Sequence, residues 1–236
     1  MHATPAATRH GTTPTRPPPP ADRPGPVAAM RALRPVPVVL PDVVHRDALS
    51  SLAWAGLHLD GLLAPLWGDA SATAGAPSDA ERRALALAPL VPARGTVGRL
   101  AAAWVHTGLH PPDHVDVLVP SGGRRTDPHR RRRAAEAVLD DRDVLVVGGV
   151  RVTTVLRTGV DVARWVPDAT AVPALRALVD AGLDADAALA ELGRFGGHRG
   201  VVRAARLLTG LRPTRQGCGR QARMTGSSDA FAPVMR

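Results

Sequence analysis

Between residues 142 and 165 the run RDVLVVGGVRVTTVLRTGVDVARW changes its hydrophobic period from that of a strand to that of a helix. Val144 to Val147 reads as an apolar strand, Gly148-Gly149 as a two-residue turn, and Val150 to Thr153 as the returning strand. Such a turn needs positive φ at its centre, and glycine supplies it without a Cβ clash. A helix follows, with Thr154 as its N-cap and Val155, Gly159, Val162 and Val166 repeating at helical spacing to form a buried stripe.

The flanking pattern is mainly helical. A helix is expected near Asp47 to Ala55, followed by the run LHLDGLLAPLWGD, in which Trp67 reads as a core anchor rather than a base-stacking ring. Ser78 with Glu81 forms a capping box before an apolar face of Ala84, Leu85, Leu87, Ala88, Leu90 and Val91, stopped by Pro92. A further helix over Arg99 to Thr107 carries Ala101, Ala102, Trp104 and Val105 and ends at Gly108, a left-handed cap position. Val115, Val117 and Val119 alternate with other residues as in a half-buried strand. Beyond the hairpin, Pro167-Asp168 breaks the chain, and helices are expected over Val172 to Ala181, over Asp186 to Leu192 with Asp184 as cap, and over Gly200 to Leu208. In the last, Val201, Val202, Ala205 and Leu208 should face inward and Arg203 and Arg206 outward. The fold class is therefore α+β: a small mixed or antiparallel sheet with a Gly-Gly hairpin, covered by several helices.

Composition divides the chain into four parts. Residues 1–40 form a Pro- and Arg-rich arm, expected to be disordered; 41–110 are expected to be helical; 111–212 form an α/β domain with C-terminal helices; and 213–236 form a second disordered tail. No apolar run approaches a membrane span and the N-terminus has no signal-peptide core, which argues against a membrane location. The single Cys218 cannot close an internal disulfide, so a reducing cytoplasm is expected.

Charge adds candidate chemistry and removes some. The 30 basic residues are all arginine, a bias to which a GC-rich coding sequence contributes, and which weakens a high isoelectric point as a nucleic-acid footprint. The missing lysine excludes a Walker-type phosphate loop, a Schiff-base enzyme and the lysine-containing restriction-endonuclease motif. Only three glutamates occur, and no acidic cluster suits two-metal phosphodiester chemistry. Between residues 43 and 110 five arginines balance five carboxylates. The turn Pro120-Ser121-Gly122-Gly123-Arg124-Arg125 and the run Arg130, Arg131, Arg132 and Arg133 are the candidate phosphate contacts, against the blander reading of an exposed loop tip. His106, His110 and His114 fall four apart, but Pro111-Pro112 interrupts any common helical face, so no metal or cofactor is expected. Arg157 and Asp161, one helical turn apart, read as a structural ion pair, with no nucleophile or base beside them.

The segment GVRVTTVLRTGVDVAR resembles the signature of the AbiEi family, antitoxins of type IV abortive-infection toxin–antitoxin pairs, with Thr153, Thr154, Arg157, Thr158 and Asp161 as its structural motif. GLLAPLWGDA, AAAWVHTG and DHVDVLVP also resemble actinobacterial members, extending the likeness over about residues 43 to 210. The resemblance implies a non-catalytic protein that represses its own promoter DNA and antagonises a nucleotidyltransferase toxin without stable direct binding. It also implies a winged helix-turn-helix in the N-terminal part, in reduced form here, where basic side chains are few. Near residue 130 the two lines of reasoning diverge. Asp127-Pro128 is a good helix start, whereas the resemblance implies a strand pairing with Val115 to Val119. The extended form is preferred, because alternation sends two arginines to each face and only an edge strand or loop tolerates that. The competing functional readings are a protein-interaction module or family remnant that binds no nucleic acid, and, further off, a nuclease.

Overall fold

The computed structural model describes residues 39–122 and 127–212. The arm up to residue 38, the tail with Cys218, and Arg124 and Arg125 lie outside them. Eight strands and seven helices follow in order: β1 Val43–His45, α1 Ser51–Leu59, β2 Leu63–Trp67, β3 Ala70–Thr73, α2 Ala80–Leu87, β4 Thr96–Val97, α3 Arg99–Thr107, β5 Val115–Val119, β6 Arg132–Glu136, β7 Val144–Val147, β8 Val150–Thr153, α4 Val155–Trp165, α5 Asp168–Asp180, α6 Ala185–Leu192 and α7 Val201–Thr209. The fold is α+β, with two sheets and helices packed on them.

Residues 41–110 are not simply helical. β1, β3 and β2 form an antiparallel sheet in that order, because Gly68 at φ 57° turns LAPLW back on itself as a hairpin. Pro65 is tolerated since β2 is an edge strand, where a missing amide donor breaks no ladder. α1 begins at Ser51 rather than Asp47, since the Ser50 hydroxyl accepts from the Ala53 amide at 3.2 Å and a 3-10 turn occupies Arg46–Ala48. None of its residues is buried, and Leu52 and Leu59 are 84% and 88% exposed. Trp67 packs half-buried near Trp104, its indole donating to the Pro112 carbonyl at 2.7 Å.

The second sheet runs β6-β5-β4-β8-β7 and is mixed: β6 is parallel to β5, β5 antiparallel to β4, β4 parallel to β8 and β8 antiparallel to β7. The hairpin pairs Val147 with Val150 across Gly148 at φ 54° and Gly149 at φ 78°, as a two-residue turn requires. At Gly148 a Cβ would also stand 2.9 Å from the Glu81 side chain of α2, so turn and packing both select glycine. β5 is buried on both faces, not on one as alternation implied: Val115 and Val117 enter the core with α2 and α3, while Asp116 and Leu118 on the other face lie against Arg99 and Gly98 at the start of α3; Asp116 is only 4% exposed. β6 is the edge strand expected for the arginine run, aligned so that Val115 faces Arg132 and Val119 faces Glu136.

Two cores meet at α3. Ala84 and Leu87 of α2 and Ala101, Ala102, Trp104 and Val105 of α3 close over Val97, Val115, Val117 and Val152 of the sheet. On the other side Ala103 joins Val160, Val162, Leu175, Leu178, Leu192 and Leu208 of the helical part. α4 runs through its middle, where a Cβ on Gly159 would stand 2.6 Å from Leu183. Two further boundaries and one helix face differ from expectation. The α2 cap is Asp79, not Ser78, its carboxylate accepting from the Arg82 amide at 2.9 Å. α5 starts at Asp168 with Pro167 as its cap, four residues early, and carries Pro173 within it. In α7 Ala204 and Leu208 face inward while Val202 is 87% exposed, because Arg203 turns in to Asp168 and to the Ala163 carbonyl. No helix among the described residues is long and apolar enough to cross a membrane.

His106, at the end of α3, donates from Nε2 to the Thr153 carbonyl at 2.7 Å and so ties helix to sheet. Burial holds its imidazole below the ordinary 6.5, with the nearby Arg83 charge in the same direction. The unfolded chain therefore takes up this proton before the native state does. Stability is full above pH 6.5 and falls as pH drops through that value, until the folded imidazole itself titrates. His106→Gln keeps a donor and removes the titration, so urea midpoints on either side of pH 6.5 should differ less in the variant than in the parent; equal slopes would refute the assignment.

Candidate functional site

The candidate phosphate contacts divide. Arg130 sits exposed in the turn before β6, and Arg133 is exposed on the edge strand. Arg131 and Arg132 are half-buried and bond to the protein itself. The Arg131 guanidinium lies 3.7 Å from Asp69 and 5.9 Å over the Trp67 ring, while Arg132 donates to the Leu90 carbonyl at 3.1 Å and to the Asp127 carbonyl. These two fasten the start of β6 to the β2–β3 hairpin and to the turn after α2. A cleft of about 480 Å³ opens there between Arg46, Trp67, Asp69, His129 and Arg131. Its cations are partly offset by Asp47 and Asp69.

The five motif residues come together in the interior. The Thr154 hydroxyl accepts from the Arg157 amide at 3.3 Å and starts α4. Thr153 and Thr158, both fully buried, share a 2.6 Å bond between hydroxyls, and Thr158 also reaches the Thr153 carbonyl at 3.2 Å. The Arg157 Nε donates to Asp161 at 2.9 Å, the pair expected from the spacing. Its Nη1 reaches Asp143 at 2.8 Å and the Val138 carbonyl at 3.2 Å. Burial pushes the Asp161 carboxyl up from its usual range, with Arg157 pulling it back.

Sequence reasoning missed much of this cluster. Asp143 lies in the turn before β7, buried, and there accepts from the Asp140 amide at 3.1 Å as well as from Arg157. Arg194, beyond α6, closes the outer side by bonding Asp143 at 3.3 Å, together with Asp140 and Glu191. The Phe195 ring lies under Arg157 at 5.2 Å and under Arg164 at 4.2 Å, close enough for cation–π attraction. Arg164 and Phe195 carried no signal beyond one-residue identity, and only the folded chain brings them to the motif. A similar buried carboxylate, Asp116 on β5, faces Arg99 at 3.6 Å and His114 at 3.7 Å, and burial raises its pKa. The three histidines diverge: His106 binds backbone, His114 faces Asp116, and His110 is exposed at φ 56°. Among the described residues no three His, Cys, Asp or Glu side chains are grouped to hold a metal ion.

No family model matches the chain, and no curated protein matches it. Among solved structures, the crystal structure of RV2827C protein from Mycobacterium tuberculosis is similar at 19% identity, over 78% of this chain and 79% of that one, with a TM-score of 0.31. At that score the likeness carries no argument.

Arg157 and Asp161 are each 4% exposed at their side chains, and Arg157 is the one ion-pair partner of Asp161 among the described residues, so removing Arg157 leaves an uncompensated interior charge. Arg157→Ala should cost about 3–5 kcal/mol in urea unfolding. Arg194→Ala, whose side chain is 29% exposed, should cost no more than about 1 kcal/mol. Equal losses from the two would show that the cluster is not organised around Arg157.

Proposed function

We propose that this chain is a non-catalytic, antitoxin-like protein of the type IV class, cytoplasmic, that represses its own promoter through phosphate contacts and antagonises a nucleotidyltransferase toxin without stable binding to it. The observation that carries the nucleic-acid part is the edge strand β6, whose outer side has no neighbouring strand among the described residues and which presents Arg133, with Arg130 exposed just before it. Guanidiniums on an exposed edge suit the regularly spaced oxygens of a duplex backbone and give affinity without base readout. Support for a non-catalytic reading comes from the interior carboxylates, since Asp116, Asp143 and Asp161 each face a guanidinium and are committed to holding the fold. The motif residues of the resemblance act here as scaffold, joining hairpin to α4.

A duplex titration against salt tests this. Replacing Arg130 and Arg133 together by Ala should weaken binding to all sequences alike and lower the log–log salt slope by about 2, one for each phosphate left unneutralised. An unchanged slope would remove the edge from consideration.

One observation favours a second reading, that of a protein-interaction module. α1 exposes Leu52 and Leu59 and has no lysine or arginine, so the helix beside the first sheet is apolar where a groove-reading helix would be basic. The readings separate in cells that express the toxin. Leu52→Glu with Leu59→Glu should abolish protection while leaving promoter repression and melting temperature unchanged, if α1 meets a protein partner. The Arg130 and Arg133 double variant should do the reverse. Protection that survives the α1 change would dismiss the second reading.

A further inference from the structure

A second cavity, of about 240 Å³, opens between β5, the end of β6 and the helical part, lined by Arg99, Arg164, Trp165, Phe195 and His198, with Ser121 and Glu136 among its other walls. Arg164 is only 7% exposed, yet among the described residues no carboxylate lies within ion-pairing distance of it. Its one hydrogen bond is a long one, from Nη2 to the Arg199 carbonyl at 3.4 Å, and its Nε has no acceptor among the described residues. The Arg99 Nε, also buried, has none either, and Arg99 meets Asp116 only at 3.6 Å. Phe195 stacks on Arg164 at 4.2 Å, and Trp165 stands 5.0 Å from Arg164 and 5.6 Å from Arg99, between the two guanidiniums.

An interior guanidinium with open donors is costly, and folds retain one where an acceptor completes it. Arg157, on the same wall, differs: Asp161 and Asp143 already satisfy it. Of the carboxylates here, Asp161 is taken by Arg157, and Glu136 lies exposed on β6. Burial holds the Arg164 guanidinium below its usual range; the charge of Asp161 pulls it back up, and those of Arg157 and Arg99 push it down. Arg99 at the start of α3 and Arg164 near the end of α4 both line this one space. A single carboxylate could accept from both, but a tetrahedral phosphate adds a third oxygen and a second negative charge to set against the two guanidiniums.

We propose that this cavity binds a small phosphate-bearing anion, free phosphate or a phosphomonoester, with Arg164 and Arg99 donating to its oxygens and Trp165 forming the wall beside it. The site is separate from the β6 edge, and the proposal does not depend on the antitoxin reading. At about 240 Å³ the cavity is too small for a duplex and suits a small phosphate compound.

Calorimetric titration of the full chain with inorganic phosphate, adenosine monophosphate and succinate tests it, with tryptophan fluorescence followed in parallel. Saturable one-to-one binding of at least one phosphate compound is expected, at a Kd of about 1 mM or tighter. Arg164→Gln should weaken it at least ~10-fold. Arg99→Lys, which keeps a charge facing Asp116 and removes the guanidinium fork, should weaken it in the same direction and serves if the first variant does not fold. Trp165→Phe should remove the fluorescence response, and the Arg130 and Arg133 double variant should bind phosphate as the parent does. Absence of saturable binding, binding of succinate alone, or phosphate binding indifferent to both Arg99→Lys and Arg164→Gln would each overturn the proposal. Duplex DNA displacing phosphate one for one would also overturn it, by returning the cavity to the nucleic-acid surface.

Discussion

The fold depends on one interior ion pair. Arg157 projects from the first turn of α4 and reaches back to Asp143, in the turn that precedes the hairpin, while holding Asp161 one helical turn on. A charge at that depth is stable only when its donors find acceptors, so the guanidinium fixes how the helix leaves the sheet. Both cores then follow from the same geometry, since α4 and α3 must pack together for Ala103 to join the helical side while Trp104 and Val105 stay with the sheet. Arg194 and Phe195 extend the constraint to the segment after α6, which is thereby drawn over the same site.

The protein's other arginines show how differently one side chain is used according to depth. On α2, Arg83 is buried and complete, donating twice to the Val105 carbonyl at 3.0 and 2.8 Å near the end of α3. At intermediate depth, Arg131 and Arg132 act as fasteners for the start of β6. At the surface, Arg130 and Arg133 face solvent, while in the interior Arg164 keeps donors open beside a cavity. In a chain without lysine the count of basic residues therefore says little about partners; the degree to which each guanidinium is satisfied says more.

What is legible in the sequence is local. The Gly148-Gly149 turn, the Thr154 cap, the Gly108 stop and the pairing of Arg157 with Asp161 involve residues close along the chain, whose conformational preferences need no distant partner. The α+β class follows from the same signals. The β2–β3 hairpin is hidden because LAPLW neither alternates nor avoids proline, which only its edge position permits. Ser78 and Asp79 both suit a helix start, and Asp79 prevails with the further bond of its carboxylate to the Arg82 side chain. The phase of α7 escapes periodicity since Asp168, remote in sequence, decides where Arg203 goes. At the candidate site the spacing points to Arg157 and Asp161, but Asp143, Arg164, Arg194 and Phe195 converge from separate elements and no periodicity announces them.

β4 has two residues, yet it occupies the middle of the larger sheet, with Val97 opposite Val117 on one side and Val152 on the other. The first pairing is closed by a single helix, whereas the second must span that helix and three strands. Such non-local closure is entropically late, so the β7–β8 ribbon and the α3–β5 unit should be preformed pieces that dock through β4. So short a strand adds few hydrogen bonds of its own, and the docking is therefore secured chiefly by side-chain burial around Val97. The order of assembly is thus written into the smallest element of the sheet.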